Sequence, residues 1–182
     1  MRLSLKNVRL AFPAVFEAKA VNGEGEPRFS AVFLLDPKDA QVKTINQAID
    51  AVAKEKWGAK TDATLKAMRA ADKVCLHDGD AKADYAGFPG MLFISAANKV
   101  RPLVLNHDKT PLTAQDGKPY AGCYVNASIE LWAQDNKFGK RVNASLRGVQ
   151  FLRDGDAFAG GGAASDDEFD DVSEGATADD LT

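Results

Sequence analysis

Past Arg153 the chain has no lysine and no arginine, although 23 such residues stand up to and including it in a sequence of 182. Other scarcities narrow the field. Two cysteines, Cys75 and Cys123, cannot build a disulfide framework and read as reduced, packed thiols. No apolar run approaches the roughly 20 residues that span a bilayer, so no membrane partner is expected. The opening MRLSLKNVRLAF alternates polar and apolar residues and lacks the apolar stretch of a signal peptide, which predicts a cytoplasmic protein.

Catalytic and metal motifs are missing as well. WGAKT (57–61) has Ala59 where a phosphate-binding loop needs glycine before its lysine. Asp78, Asp80 and Asp84 lack the glycine and the distal glutamate of a calcium loop. Cys75, His77, His107 and Cys123 match no compact zinc spacing. Asn126-Ala-Ser128 and Asn143-Ala-Ser145 are glycosylation sequons only in a secreted protein. The sequence therefore predicts no cofactor, no metal and no enzymatic activity; a magnesium nuclease using the three aspartates is the catalytic rival.

What is present is charge, unevenly placed. Residues 1–153 hold all 23 bases and 16 of the 26 acids, a net of +7, while residues 154–182 carry ten acids and nothing to offset them. A basic body with an acidic arm suggests a nucleic-acid binder with an interaction tail. The arm, GGGAASDDEFDDVSEGATADDLT from Gly160 on, combines low complexity with high charge and is expected to be disordered. A coil of about 29 residues spans roughly 30 Å, enough to fold back on a body whose radius of gyration is near 15 Å. Two units follow: a domain over 1–153, and a glycine-rich linker with an acidic tail over 154–182.

Segments 1–12 and 28–35 read as strands, with a turn over 22–27. Asp36 can cap a helix that starts at Pro37, carries Val42, Ile45, Ile49 and Val52 on one stripe, and ends at Trp57-Gly58. A second helix from Thr61 or Asp62 buries Leu65 and Met68. Residues 77–90 read as loop, 91–98 as strand and 99–122 as a long loop. Strands at 123–134 and 140–152 are joined by a turn at DNKFG, 135–139. The expected fold is mainly β, a small barrel or strongly curved sheet with a helical insertion.

The last two strands carry the functional signal. Cys123, Val125, Ala127, Ile129, Leu131 and Ala133 form an apolar row that faces the core. Tyr124, Asn126, Ser128, Glu130 and Trp132 take the opposite face. Val142, Ala144 and Leu146 face inward on the partner strand, leaving Arg141, Asn143, Ser145 and Arg147 outside. Guanidinium groups beside exposed rings suit a single strand, the cations for phosphates and the ring faces for bases. Tyr124, Trp132, Arg141 and Arg147 are the leading candidates. Lys140, Lys99, Arg101 and the loop aromatics Tyr85 and Phe88 join them. The plainer alternatives are cross-strand packing for the rings and a solvated face for the arginines.

GCYVNASIELWA (122–133) and GKRVNASLRGVQFLRDGDAFAGG (139–161), followed by an acid-rich end, resemble a bacteriophage family of single-stranded DNA-binding proteins once described only as of unknown function. LKNVRLAFPAVFEAK (5–19), PRFSAVFLLD (27–36) and DGDAKADYAGFPGMLFISAANKVRP (78–102) fit the same pattern. That family is similar to the T7-type phage replication protein. The resemblance implies an OB-fold that covers single strands in replication or recombination, in the host cytoplasm, with an acidic tail for partner proteins. It also implies that Asp166, Asp167, Glu168, Phe169, Asp170 and Asp171 bind those partners. Two departures stand out. The helices here follow the second clear strand and not the third, and the chain ends Asp-Asp-Leu-Thr where the T7-type tail ends in an aromatic, so Phe169 must supply the ring. Homo-oligomerisation is left open. The rival of another class is a protein-interaction module that never touches nucleic acid.

Overall fold

Alternating apolar residues build the strands of a closed sheet in the computed structural model, which describes residues 1–21 and 24–158. In chain order the elements are β1 (Arg2–Val21), β2 (Glu24–Leu35), α1 (Ala40–Trp57), α2 (Thr61–Ala70), β3 (Leu76–Asp78), β4 (Leu92–Asn98), β5 (Leu103–Leu105), β6 (Tyr124–Asn136) and β7 (Gly139–Arg153). The strands lie in the order β3-β4-β2-β1-β6-β7-β5. A further parallel pairing of β4 with β7, at Ala97 and Ser145, closes five of them into a barrel. Short β3 extends β4, and β5 runs parallel along β7 beyond the closure.

The barrel interior is apolar. Leu5, Leu10, Phe33, Leu35, Ile94, Val125, Ile129, Leu131, Val142 and Leu146 are buried there, and Ile45, Ile49 and Val52 of α1 join the same cluster. The predicted inward rows of β6 and β7 are all buried except Ala133, which is partly exposed. Burial pushes the thiols of Cys75 and Cys123 up to about 12 and about 11, so both are protonated at neutral pH.

Several local expectations are corrected. The strands of the first hairpin are longer than the sequence suggests: β1 runs on to Val21, and Glu24–Pro27, expected as turn, belong to β2, while 22 and 23 lie outside the described residues. Pro13 falls at a register shift and Pro27 at an exposed site, where a missing N–H is tolerated. Asp36 does not cap α1. Its carboxylate accepts from the Lys38 amide at 2.8 Å and shapes a turn, while Asp39 caps the helix by accepting from the Gln41 amide at 2.9 Å. The 77–90 loop begins with β3, and the 99–122 loop contains β5. The turn of the last hairpin narrows to Lys137-Phe138, between paired Asn136 and Gly139.

After β7 the chain crosses back over the body. Tyr120 donates its hydroxyl to Asp154 at 2.7 Å, Arg9 donates to the Asp156 carbonyl at 2.6 Å, and the Phe158 amide donates to the Ala121 carbonyl at 3.1 Å. Gly122 and Gly155 make the crossing feasible. A side chain at either would collide with the backbone of the other segment. Burial, then the bond to Asp154, holds the Tyr120 phenol above its ordinary range. The acidic run Asp166–Asp171, including Phe169, lies outside the described residues.

Ile129 is fully enclosed at the centre of the barrel. Ile129→Ala should lower unfolding free energy by about 2–5 kcal/mol in a urea titration. A loss under about 1 kcal/mol would place it outside the packed interior.

Candidate functional site

A groove of about 690 Å³ runs across the outside of the barrel where β4 and β7 meet. Its floor follows from strand parity. Ser30 on β2, Ser95 and Ala97 on β4, and Asn143 and Ser145 on β7 alternate with the inward Ala31, Ala96, Val142 and Ala144. These outward side chains are small, so a ligand can approach the sheet closely. Arg28 and Lys99 line one side. Lys73, Arg141, Trp132 and Gln134 line the other.

Four cations thus surround the groove against one lining carboxylate, Asp72, which is bonded to His77 Nδ1 at 2.5 Å. The His77 ring is in turn stacked on Phe93 with centroids 4.9 Å apart and 26° between planes. Trp132 stands opposite Asn143 on the outer face and is 43% exposed. Lys99 is held by Glu26 at 2.7 Å, an exposed pair in which the ammonium keeps the Glu26 carboxyl below its ordinary range. A phosphate would compete with Glu26 for that ammonium.

The structure therefore brings together three of the sequence candidates, Trp132, Arg141 and Lys99. The others are placed elsewhere. Tyr124 lies at the far end of β6, its ring under the Arg153 guanidinium at 3.7 Å and against Gly155. Arg147 is the extra residue of a bulge, since Ser128 pairs with Gly148 but Ile129 pairs with Leu146. It makes an ion pair with Glu130 at 3.0 Å. Lys140 is exposed near the hairpin tip and Arg101 is exposed after β4. Tyr85 is half-exposed, whereas Phe88 is a correction: its ring is buried among Ala11, Leu34 and Phe93, because the 79–91 loop folds down as a second layer on the sheet.

Two groove cations were not singled out from sequence. Arg28 was legible, since the RFSAVFLL alternation puts Arg28, Ser30 and Val32 on the non-core face. Lys73 was not, because its position depends on the α2–β3 connection reaching β7, where the Lys73 carbonyl accepts from the Val142 amide at 3.1 Å. Phe138, 73% exposed at the β6–β7 tip, was a further aromatic hidden in an ordinary turn. Two of the three aspartates of the nuclease alternative have structural work of their own. Asp78 accepts from the Asp80 amide at 2.9 Å, and Asp80 accepts from the Gly90 amide at 2.8 Å. Among the described residues no three His, Cys, Asp or Glu side chains converge on a metal position.

Over residues 1–182 the sequence matches the family described as Enterobacter phage Enc34, ssDNA-binding protein. The chain belongs to that family. A curated relative within reach is protein p50 of Acyrthosiphon pisum secondary endosymbiont phage 1, 51% identical over 177 residues and covering 95% of each chain. The solved single-stranded DNA-binding protein of bacteriophage Enc34, in complex with ssDNA, superposes with a TM-score of 0.72 at 28% identity, over 86% of this chain and 88% of that one. The gp2.5 single-stranded DNA binding protein of bacteriophage T7 shares the fold, with a TM-score of 0.58 at 12% identity over 84% of this chain and 91% of that one. Membership in the Enc34 family accounts for the barrel with a helical insertion.

Trp132→Ala should weaken oligothymidine binding by about 1–3 kcal/mol without lowering the melting temperature. Arg141→Ala should reduce the slope of log affinity against log salt by about 0.7, the share of one phosphate contact on a single strand. Arg147→Ala should leave that slope unchanged. An equal drop for both arginines would extend the track past the Glu130 pair.

Proposed function

We propose that this protein covers single-stranded DNA without enzymatic chemistry and largely without sequence preference. The observation that carries the reading is the groove at the β4–β7 seam: a floor of small residues, four cations and an exposed tryptophan in a member of an ssDNA-binding family. Arg28, Lys73, Lys99 and Arg141 neutralise phosphates, and Trp132 offers a ring face to a base. Base edges are not read, because the floor presents mostly short hydroxyls and methyls, and its carboxamide, Asn143, already donates to Gln134 Oε1 at 3.0 Å. The Enc34 protein solved with ssDNA supports the choice of ligand.

The acidic arm acts on the same groove. Phe158 is pinned to the body, with Arg9 over its ring at 4.3 Å, so the arm is rooted on the barrel. Its acids compete with DNA for the cations at high effective concentration. When DNA displaces the arm, Asp166–Asp171 with Phe169 at its centre recruits replication or recombination proteins. Those roles belong to host-cell cytoplasm; no helix among the described residues is long and apolar enough to cross a membrane.

A labelled oligothymidine with and without magnesium separates this reading from its rivals: a shifted band, no band shift, or loss of the strand. Ending the chain after Gly162 should tighten binding at low salt about tenfold, or roughly 1.4 kcal/mol, with the gain shrinking as salt rises. Equal affinities of the full and shortened chains at low salt would mean that the arm does not guard the groove.

A further inference from the structure

His77 sits in the wall of the groove beside its floor. In the β3–β4 pairing it stands opposite Phe93, two residues from Ser95 of the floor. The stack on Phe93 and the contact of Nδ1 with Asp72 hold the imidazole from two sides. An ionised carboxylate only accepts, so the ring keeps a proton on Nδ1 and Nε2 is the nitrogen that gains or loses one. Nε2 has no hydrogen-bond partner among the described residues. No buried side-chain nitrogen there lacks a partner, so Nε2 opens to solvent.

The charges around the ring come from every element packed near it. Asp72 and Lys73 stand on the connection between α2 and β3, and Asp78 on β3 itself. Arg69 of α2 and uncharged Asn46 of α1 share with His77 a cavity of about 250 Å³, and Arg69 is held by Asp50 at 3.7 Å. Lys82 of the 79–91 loop lies over Phe93, its Nζ 5.6 Å from the ring centroid. Arg28 of β2, Lys99 beyond β4 and Arg141 of β7 complete the charges of the groove. While His77 is neutral, Asp72 leaves one uncompensated negative charge where a phosphate would pass. Once His77 is protonated the pair is neutral, and Nε2–H becomes a charged donor to a phosphate oxygen.

We propose that His77 and Asp72 form a proton-controlled phosphate contact, so that the protein grips single-stranded DNA more tightly as the pH falls through the range in which histidine changes charge. This rests on the groove reading given above and adds a pH-dependent member to its four fixed cations. Phosphates beside the ring stabilise its charged form, so binding takes up a proton, and affinity rises as protons become available. Arginine and lysine keep their charge throughout that range and thymine does not titrate in it, so neither the other groove cations nor an oligothymidine produces the change. Two other groups of the chain could change charge there. His107, beyond β5, is bonded to Asn106 at 3.0 Å, and the amino terminus donates to the Leu131 carbonyl at 2.9 Å.

The test measures oligothymidine affinity at constant ionic strength for wild type, His77→Gln and His107→Gln, at pH about 5.5 and about 7.5. Wild type and His107→Gln should each bind about threefold to tenfold more tightly at the lower pH, the worth of one charged hydrogen bond at a part-exposed site. His77→Gln should gain less than about twofold, and at the higher pH it should bind as wild type. In a parallel NMR titration of the full-length wild type, saturating oligothymidine should move the His77 ring transition to higher pH and leave that of His107 in place. This second readout needs no variant, so it decides the matter even where His77→Gln fails to fold. Equal wild-type affinities at the two pH values, a full gain in His77→Gln, or a His77 transition that DNA does not move would each overturn the proposal and leave the groove standing. If wild type binds no oligothymidine at either pH, the groove reading falls and takes this inference with it.

Discussion

Ala97 and Ser145 lie side by side where parallel β4 and β7 meet, and that short pairing converts a twisted sheet into a barrel. The Asn98 side-chain amide reinforces it by donating to the Leu146 carbonyl at 3.0 Å. Without the closure, Arg28 and Lys99 would sit at one edge of the sheet and Arg141 and Trp132 near the other. With it they face each other across a floor of serines and alanines. Every antiparallel pair in the barrel could form in an open sheet. The groove could not.

Holding several cations around one groove has an electrostatic cost, which the molecule offsets locally. Glu26 holds Lys99, and Asp72 sits beside His77 within the lining. Both carboxylates are exposed, so the pairs are weak and yield readily to a polyanion. The sequence carries the same balance on a larger scale: ten acids over 154–182 against a net of +7 over 1–153. The strap from Asp154 to Phe158 ties the root of that arm to Arg9, Tyr120 and Ala121 on the barrel wall.

Much of this was legible before any coordinates. Strict alternation in β6 and β7 identified the inward rows and put Trp132 and Arg141 outside, because a half-buried strand leaves no other solution. The stripe Ile45, Ile49, Val52 identified α1 and its buried face. The reading failed where alternation or locality breaks. A bulge shifts Arg147 out of line with Arg141, and no spacing rule announces an extra residue. Tyr124 shares a face with Trp132, yet the returning strap and Arg153 cover it, a contact made by residues about thirty positions downstream. Phe88 turned inward because the glycine-bearing loop around it forms a second apolar layer over Phe93 and Leu34. Lys73 entered the groove through a connection whose path only the folded barrel defines.

Hydrogen exchange on the full-length protein, with and without a saturating oligothymidine, tests the central claim most directly. The account predicts slower exchange on binding in the β4–β7 seam, residues 95–99 and 141–145, with the α1 and α2 amides unchanged. Protection centred on the two helices, with the seam unaffected, would contradict it.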